Sequence, residues 1–314
     1  GGSLTTTDIG GNRVEVNNAV GPDQNPGNNS GLNNTFGVRV PGLGAFQVVS
    51  PNDNPNTAEW QGKVVVQTNA AIGGTPNSNM IISGIISASL DSNGNLITIE
   101  KRGAMNLTVA ANNSNSSSTA GSFLGNWEIN NGNLKIENDG ALGLAGTYVV
   151  PITGSTLVAP QNSSYVRVNQ TAEGAGSIQL NGFGLNVSNN IVLQSIGFNG
   201  FGGLQSIGSN TWSGNIFVPS TASVGAGASS ELVISGNISN IRNANTRNLP
   251  VGTGSASSNS QFVKVGAGTV TLTASNTNFT MPIVVQEGTL RLEGSNAGLG
   301  GSTSTPGVIS VSTS

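Results

Sequence analysis

The stretch Thr269-Val270-Thr271-Leu272-Thr273 alternates hydroxyl and apolar side chains, and Thr289-Leu290-Arg291-Leu292-Glu293 repeats the alternation with charges on its polar side. Successive side chains of an extended chain point to opposite sides, so a period of two predicts strands with one buried face. No stretch holds a 3.6-residue apolar period long enough for a helix, and Gly or Asn interrupts the runs throughout. The pattern therefore predicts an all-β chain of short strands joined by tight corners.

Composition narrows the architecture. Only 35% of the 314 residues are hydrophobic and 4% aromatic, while 46 are glycine, which is too little large apolar surface for an ordinary globular core. Val, Ile and Thr nevertheless recur along the whole chain, unlike the composition of a disordered segment. Short strands with Gly/Asn corners suit a sandwich, a barrel or a solenoid, and local pattern alone does not choose between them. Small inward residues favour the solenoid, whose narrow interior is filled by stacked like residues, with coils of roughly 20–25 residues; stacked sandwich-like modules are the alternative.

The chain also repeats itself. Trp60-Gln61-Gly62 matches Trp212-Ser213-Gly214, Ile72-Gly73 matches Val224-Gly225, and Ile82-Ser83-Gly84 matches Ile234-Ser235-Gly236, all at an offset of 152. The offset becomes 163 where Lys101-Arg102-Gly103-Ala104 matches Lys264-Val265-Gly266-Ala267, and 156 where Gly132-Asn133-Leu134-Lys135-Ile136-Glu137 matches Gly288-Thr289-Leu290-Arg291-Leu292-Glu293. The extra residues fall between Ser239 and Ser260 in one copy and at Asn112–Ser118 in the other, as expected for corner loops on a fixed scaffold. The expected organisation is a right-handed parallel β-solenoid built from two copies of an approximately 150-residue repeat. Its domains are residues 1–143 for the first copy and 144–314 for the second, in one continuous rod.

The blocks Lys264-Val265-Gly266-Ala267-Gly268-Thr269-Val270-Thr271-Leu272 and Val284-Val285-Gln286-Glu287-Gly288-Thr289-Leu290-Arg291-Leu292, followed by Ala297-Gly298-Leu299-Gly300, resemble the autotransporter-associated β-strand repeat. Trp212-Ser213-Gly214-Asn215-Ile216 and Leu232-Val233-Ile234-Ser235-Gly236 look like the segments that precede such a block. In the more diverged first copy, Met105 and Asn106 stand where the second has Gly268 and Thr269. The resemblance implies a right-handed parallel β-solenoid exported beyond the cytoplasmic membrane of a bacterium, as part of long surface proteins. It transfers no functional residue, because the repeat is a structural unit.

Chemistry-bearing patterns are sparse. Charged residues make up 8% of the chain, with a net charge of −3 and scattered Lys and Arg, which gives no basic face for nucleic acid or an acidic membrane surface. The absence of cysteine excludes disulfides and thiolate metal sites. The absence of histidine removes the commonest general base and transition-metal ligand. No apolar run reaches the roughly 18–20 residues needed to span a bilayer, and Gly1 in place of an initiator Met suggests a processed product or a fragment.

Glu137 and Asp139 form the one carboxylate pair spaced for a shared strand face, and the ordinary reading is a solvated strand end. Gly225-Ala226-Gly227 and Gly266-Ala267-Gly268 lack the Lys-Ser/Thr of a phosphate cradle and read as corner turns. The Thr269, Thr271, Thr273 run reads as an outward strand face, and the matched Trp60 and Trp212, with Trp127, as packing residues rather than sugar-stacking platforms. Catalytic, cofactor-binding and metal-ligating residues are thus none.

The first functional expectation is a non-catalytic extracellular or cell-surface fibre protein, with no cofactor. Its partner would be another copy stacked end to end, or the continuation of a longer repeat chain, through the unfinished units Gly2-Ser3-Leu4 and Val308-Ile309-Ser310-Val311. The alternative is an adhesin that binds glycans or surfaces through the Asn112–Ser118 and Asn240–Ser260 loops. A polysaccharide-degrading enzyme ranks below both.

Overall fold

The computed structural model describes residues 4–7, 13–16, 44–48, 56–88, 90–91, 94–114, 122–145, 147–149, 161–240, 260–277, 279–294, 298–299 and 309–311. The described residues are nearly all strand or turn, with one short 3₁₀ turn at Phe198–Gly200 and no α-helix among them. They form two compact units, Gly1–Glu128 with Gly140–Tyr165, and Ile129–Asp139 with Val166–Ser314.

In the first unit the chain visits three parallel ladders in turn. One joins Arg13–Val16, Lys63–Val66 and Ile86–Ala88. The next joins Phe46–Val48, Ala70–Gly74 and Ile97–Arg102, and the third Asn56–Trp60, Ser78–Ile82 and Asn106–Val109. The sequence supplies the reason: the strands are a few residues long, and Lys63–Val66, Ser78–Ile82, Ile97–Arg102 and Asn106–Val109 alternate in burial, whereas Phe46–Val48, Ala70–Gly74 and Ile86–Ala88 are buried throughout. Leu4–Thr7 departs from the scheme, because it folds back antiparallel on Arg13–Val16.

The second unit is built the same way. Its longest ladder runs Gly132–Ile136, Gly174–Asn181, Leu204–Ile207, Ala222–Ala226, Phe262–Val265, Ile283–Val285 and Ile309–Val311, all parallel. Another runs Asn186–Val187, Ser209–Trp212, Glu231–Ile234, Thr269–Leu272 and Thr289–Leu292. A third joins Asn190–Gln194, Ile216–Phe217 and Ile238–Ser239.

Register places like residues on like residues. Ile178, Leu204 and Val224 are successive partners in one column, and Leu232, Val270 and Leu290 in another. Outside the longer connections, partners lie from 20 residues apart, as for Leu204 and Val224, to 29 apart, as for Ile72 and Lys101. Such columns bury small aliphatic side chains without aromatic bulk, which is how a chain so poor in aromatics obtains an interior.

The internal repeat is visible in this pairing. Val64 pairs with Ile86, and 152 residues on Ile216 pairs with Ile238. Trp60 pairs with Ile82, and Trp212 with Ile234. Across the change of offset, Ile72 pairs with Lys101 and Val224 with Lys264, while Met80 pairs with Leu107 and Leu232 with Val270. The larger separations in the second copy are taken up between Ile238–Ser239 and Phe262–Val265, where residues 241–259 lie outside the described residues. The loop expected at Asn112–Ser118 is described to Ser114, and Asn113 there is buried rather than exposed.

Candidate functional site

The least expected feature of the interior is cationic. Phe46, Ile72 and Lys101 form one inward column of the first unit, and Val224, Lys264 and Val285 part of one in the second. Both lysines are fully buried. They occupy matched positions of the repeat, and each takes the apolar parity of its strand after Ile97 and Ile99 or after Phe262.

A buried ammonium must be hydrogen-bonded or its desolvation is uncompensated. The corner that follows each lysine provides the acceptors. Lys101 Nζ donates to the Gly103 carbonyl at 2.5 Å. Lys264 Nζ donates to the carbonyls of Val265 (3.1 Å), Gly268 (2.7 Å) and Glu287 (2.8 Å), and also to that of Gly266. Three N–H bonds shared among four carbonyls fill its donor capacity, and Glu287 belongs to the next turn of chain, so the lysine ties two levels together.

Glycine is required around this cage. Gly103, Gly266, Gly132 and Gly288 have φ of 71°, 75°, 74° and 68°, a region that costs an L side chain roughly 1–2 kcal/mol. A Cβ on Gly288 would also sit 2.5 Å from Lys264 Nζ. Burial pushes the pKa of both lysines down, Lys101 well below the ordinary lysine value. For Lys264 the fall caused by burial is opposed by the Glu287 carboxylate. The sequence carried a signal for these residues: a chain with 11 Lys and Arg spends two at matched positions in an inward slot.

A second matched pair supports the corners. Asn113 accepts from the Ile86 N–H at 2.8 Å and donates to the Ala141 carbonyl at 2.7 Å. Asn276 accepts from the Ile238 N–H at 2.7 Å and donates to the Ala274 carbonyl at 3.1 Å. Buried backbone groups that the ladders leave over are satisfied in this way.

The residues weighed for chemistry are dispersed into structural contacts. Glu137 accepts from Asn181 Nδ2 at 2.8 Å and Asp139 from the Asn186 N–H at 2.8 Å, so the two carboxylates serve separate strands. Thr271 is on the outward strand face but is covered there: it donates to Glu231 at 2.6 Å and accepts from Arg291 Nε at 3.1 Å. Gly225 and Ala226 lie inside a strand, not at a corner, whereas Gly266 turns one.

Trp127 and Trp212 are fully buried, and Trp60 is half-buried with its ring edge-on to Phe46 at 5.9 Å. The three indole N–H groups are buried without a hydrogen-bond partner, so these tryptophans act through ring packing. Among the described residues no three His, Cys, Asp or Glu side chains gather as metal ligands, and no helix is long and apolar enough to cross a membrane.

No known family model, curated protein or solved structure matches the chain. The reading of its role therefore rests on its own residues.

Proposed function

We propose that this chain is a non-catalytic structural protein: a right-handed β-solenoid rod of an extracellular or bacterial surface fibre, with copies adding end to end. The observation that carries the reading is the edge at Thr289–Leu292. That strand pairs on one side with Thr269–Leu272, and no strand covers its other side among the described residues. Leu292 is 46% exposed and Leu290 half-buried. Their repeat equivalents Leu134 and Ile136 are 0% exposed, because Ile178 and Leu180 of the following strand cover them.

Among the described residues the same sequence pattern is thus covered in one copy and left uncovered on one side in the other. An open parallel edge with leucines on its inward side is a template for another strand. Among the described residues the antiparallel strand Leu4–Thr7 pairs only with Arg13–Val16, and its other backbone edge would receive the strand of the next copy. The resemblance of residues 264–300 to the autotransporter-associated β-strand repeat agrees with an exported, repeat-built rod. Dispersal of the carboxylates into separate structural contacts favours scaffold over catalyst.

Electron microscopy over a concentration series tests the reading. End-to-end chains of particles are expected, and Leu292→Lys shortens them. Isolated particles at every concentration, unchanged by that substitution, would end the proposal.

A further inference from the structure

Arg13–Val16 has a counterpart in the second unit. Val14 pairs with Val64, and Ile191 pairs with Ile216, the residue 152 positions beyond Val64, so Arg13–Val16 and Asn190–Gln194 are matched strands of two parallel ladders. Their other edges are closed differently. Asn190–Gln194 pairs there with Tyr165–Thr171, whereas Arg13–Val16 is closed by Leu4–Thr7 of its own chain, antiparallel.

The second copy of the repeat holds a match to Tyr165–Thr171. Leu142-Gly143 reappears as Leu299-Gly300, and Val166-Arg167-Val168-Asn169 then reappears as Ile309-Ser310-Val311-Ser312, aliphatic at alternate positions and polar between and after. Val166 and Val168 are buried, but Val311 is 73% exposed. Ile309–Val311 pairs in parallel with Ile283–Val285 and, among the described residues, with no second strand. One matched pair of strands, Tyr165–Thr171 with Asn190–Gln194, is joined within the chain, and the other, Ile309–Val311 with Arg13–Val16, is not.

Leu4–Thr7 is a poor occupant of the edge it holds. Its register sets Leu4 against Val16 and Thr6 against Val14, in columns that continue through the buried Val66 and Val64. A threonine in an aliphatic column gives up apolar burial and brings a hydroxyl that needs a partner. Ile309-Ser310-Val311 has an aliphatic residue for both columns. A four-residue strand at the end of a sheet is also among the first elements to open.

We infer that Leu4–Thr7 is a displaceable cap, and that the Arg13–Val16 edge it covers is the docking surface for Ile309–Val311 of a second copy, parallel, with Ile309 against Val14 and Val311 against Val16. The released strand covers Thr289–Leu292 of that second copy, as Gly174–Asn181 covers Gly132–Ile136. Gly2-Ser3-Leu4 repeats Gly176-Ser177-Ile178, which sets Leu4 against Leu290. The inference rests on end-to-end addition and gives it a second strand pair and a gate. A capped edge is guarded against indiscriminate pairing, and only the fraction of chains with the cap open is competent to add.

Locking the cap tests this. The chain has no cysteine, and Thr5 and Glu15 are Cα partners across the two strands, at a spacing that a disulfide can bridge. Thr5→Cys/Glu15→Cys, with Thr7→Cys/Arg13→Cys as a second pair, is followed by light scattering and electron microscopy, first oxidised and then reduced, beside the native chain. The reduced forms should assemble as the native chain does, and the oxidised forms on the order of tenfold more slowly or not at all. Reductant added to the oxidised forms should restore growth. Val311→Lys, at an exposed position outside Thr289–Leu292, should slow growth of the native chain by a similar factor. Oxidised forms that assemble as fast as their reduced forms, or growth unchanged by Val311→Lys, overturn the inference and leave end-to-end addition standing. A native chain that stays as isolated particles at every concentration overturns end-to-end addition itself, and the cap with it.

Discussion

The corners at Lys101 and Lys264 are two solutions to one problem. Each lysine enters an aliphatic column and turns its ammonium toward the carbonyls of a glycine corner. Around Lys264 the sequence is permissive, with Gly268 letting the backbone close in and Glu287 adding a carboxylate at the next level. At the matched positions the first copy has Met105 and Asn131, an apolar chain and a neutral amide. The difference separates two contributions of a buried cation, its backbone bonds and its opposing charge. The copy that lacks the carboxylate has the lysine whose charged form burial disfavours more strongly.

Replacing each ammonium by an apolar chain of similar length gives the largest expected effect. Lys264→Met strands carbonyls of two levels in a closed interior and should cost about 3–5 kcal/mol in urea unfolding. Lys101→Met removes a charge that its surroundings disfavour and should cost about 2 kcal/mol less than Lys264→Met. Equal losses would mean that the matched positions are energetically equivalent despite Glu287, and the comparison would fail.

The pH dependence sharpens the same contrast. Between a lowered folded-state pKa and the ordinary lysine value of about 10.4, the unfolded chain holds a proton that the folded chain gives up. Stability therefore climbs as pH rises through that window, and the penalty is complete below it. The climb between pH 7 and 10.5, read from urea midpoints, should be larger for the Lys101 contribution than for Lys264. Lys101→Met should flatten the curve more than Lys264→Met does. A curve that falls over this range in the native chain and is unchanged by Lys101→Met would show that the lysine is not destabilised by burial.

Much of this architecture was legible before any coordinates. Thr269–Leu272 and Thr289–Leu292 are strands as their alternation requires, and the offsets of 152 and 163 reappear as equivalent strand pairings. Periodicity reads well here because each strand has one inward face and the corners are marked by residues suited to turns. The lysines were legible only as matched positions of apolar parity: polarity alone places Lys outside, and the acceptors that let these two turn inward are backbone carbonyls with no sequence signature. The burial of Thr271 was not legible for a related reason. Its strand face is outward, yet a pair of residues from the levels on either side closes over it.

That pair gives the smallest expected effect and the sharpest contrast with the lysine corners. Glu231 and Arg291 form an ion pair across Thr271, one strand removed on each side, and both remain partly exposed. Solvent screens such a pair, and holding two long side chains in one geometry opposes the attraction, so its worth is about 0.5 kcal/mol. Glu231→Gln should lower the urea midpoint slightly at low ionic strength, and the difference from the native chain should vanish near 1 M salt, where the screening length is about 3 Å. The Lys264→Met loss should persist at the same salt, because its acceptors are buried carbonyls beyond the reach of counterions. If both losses faded together, the Lys264 cage would be solvent-accessible and its carbonyl bonds would not be what holds the corner.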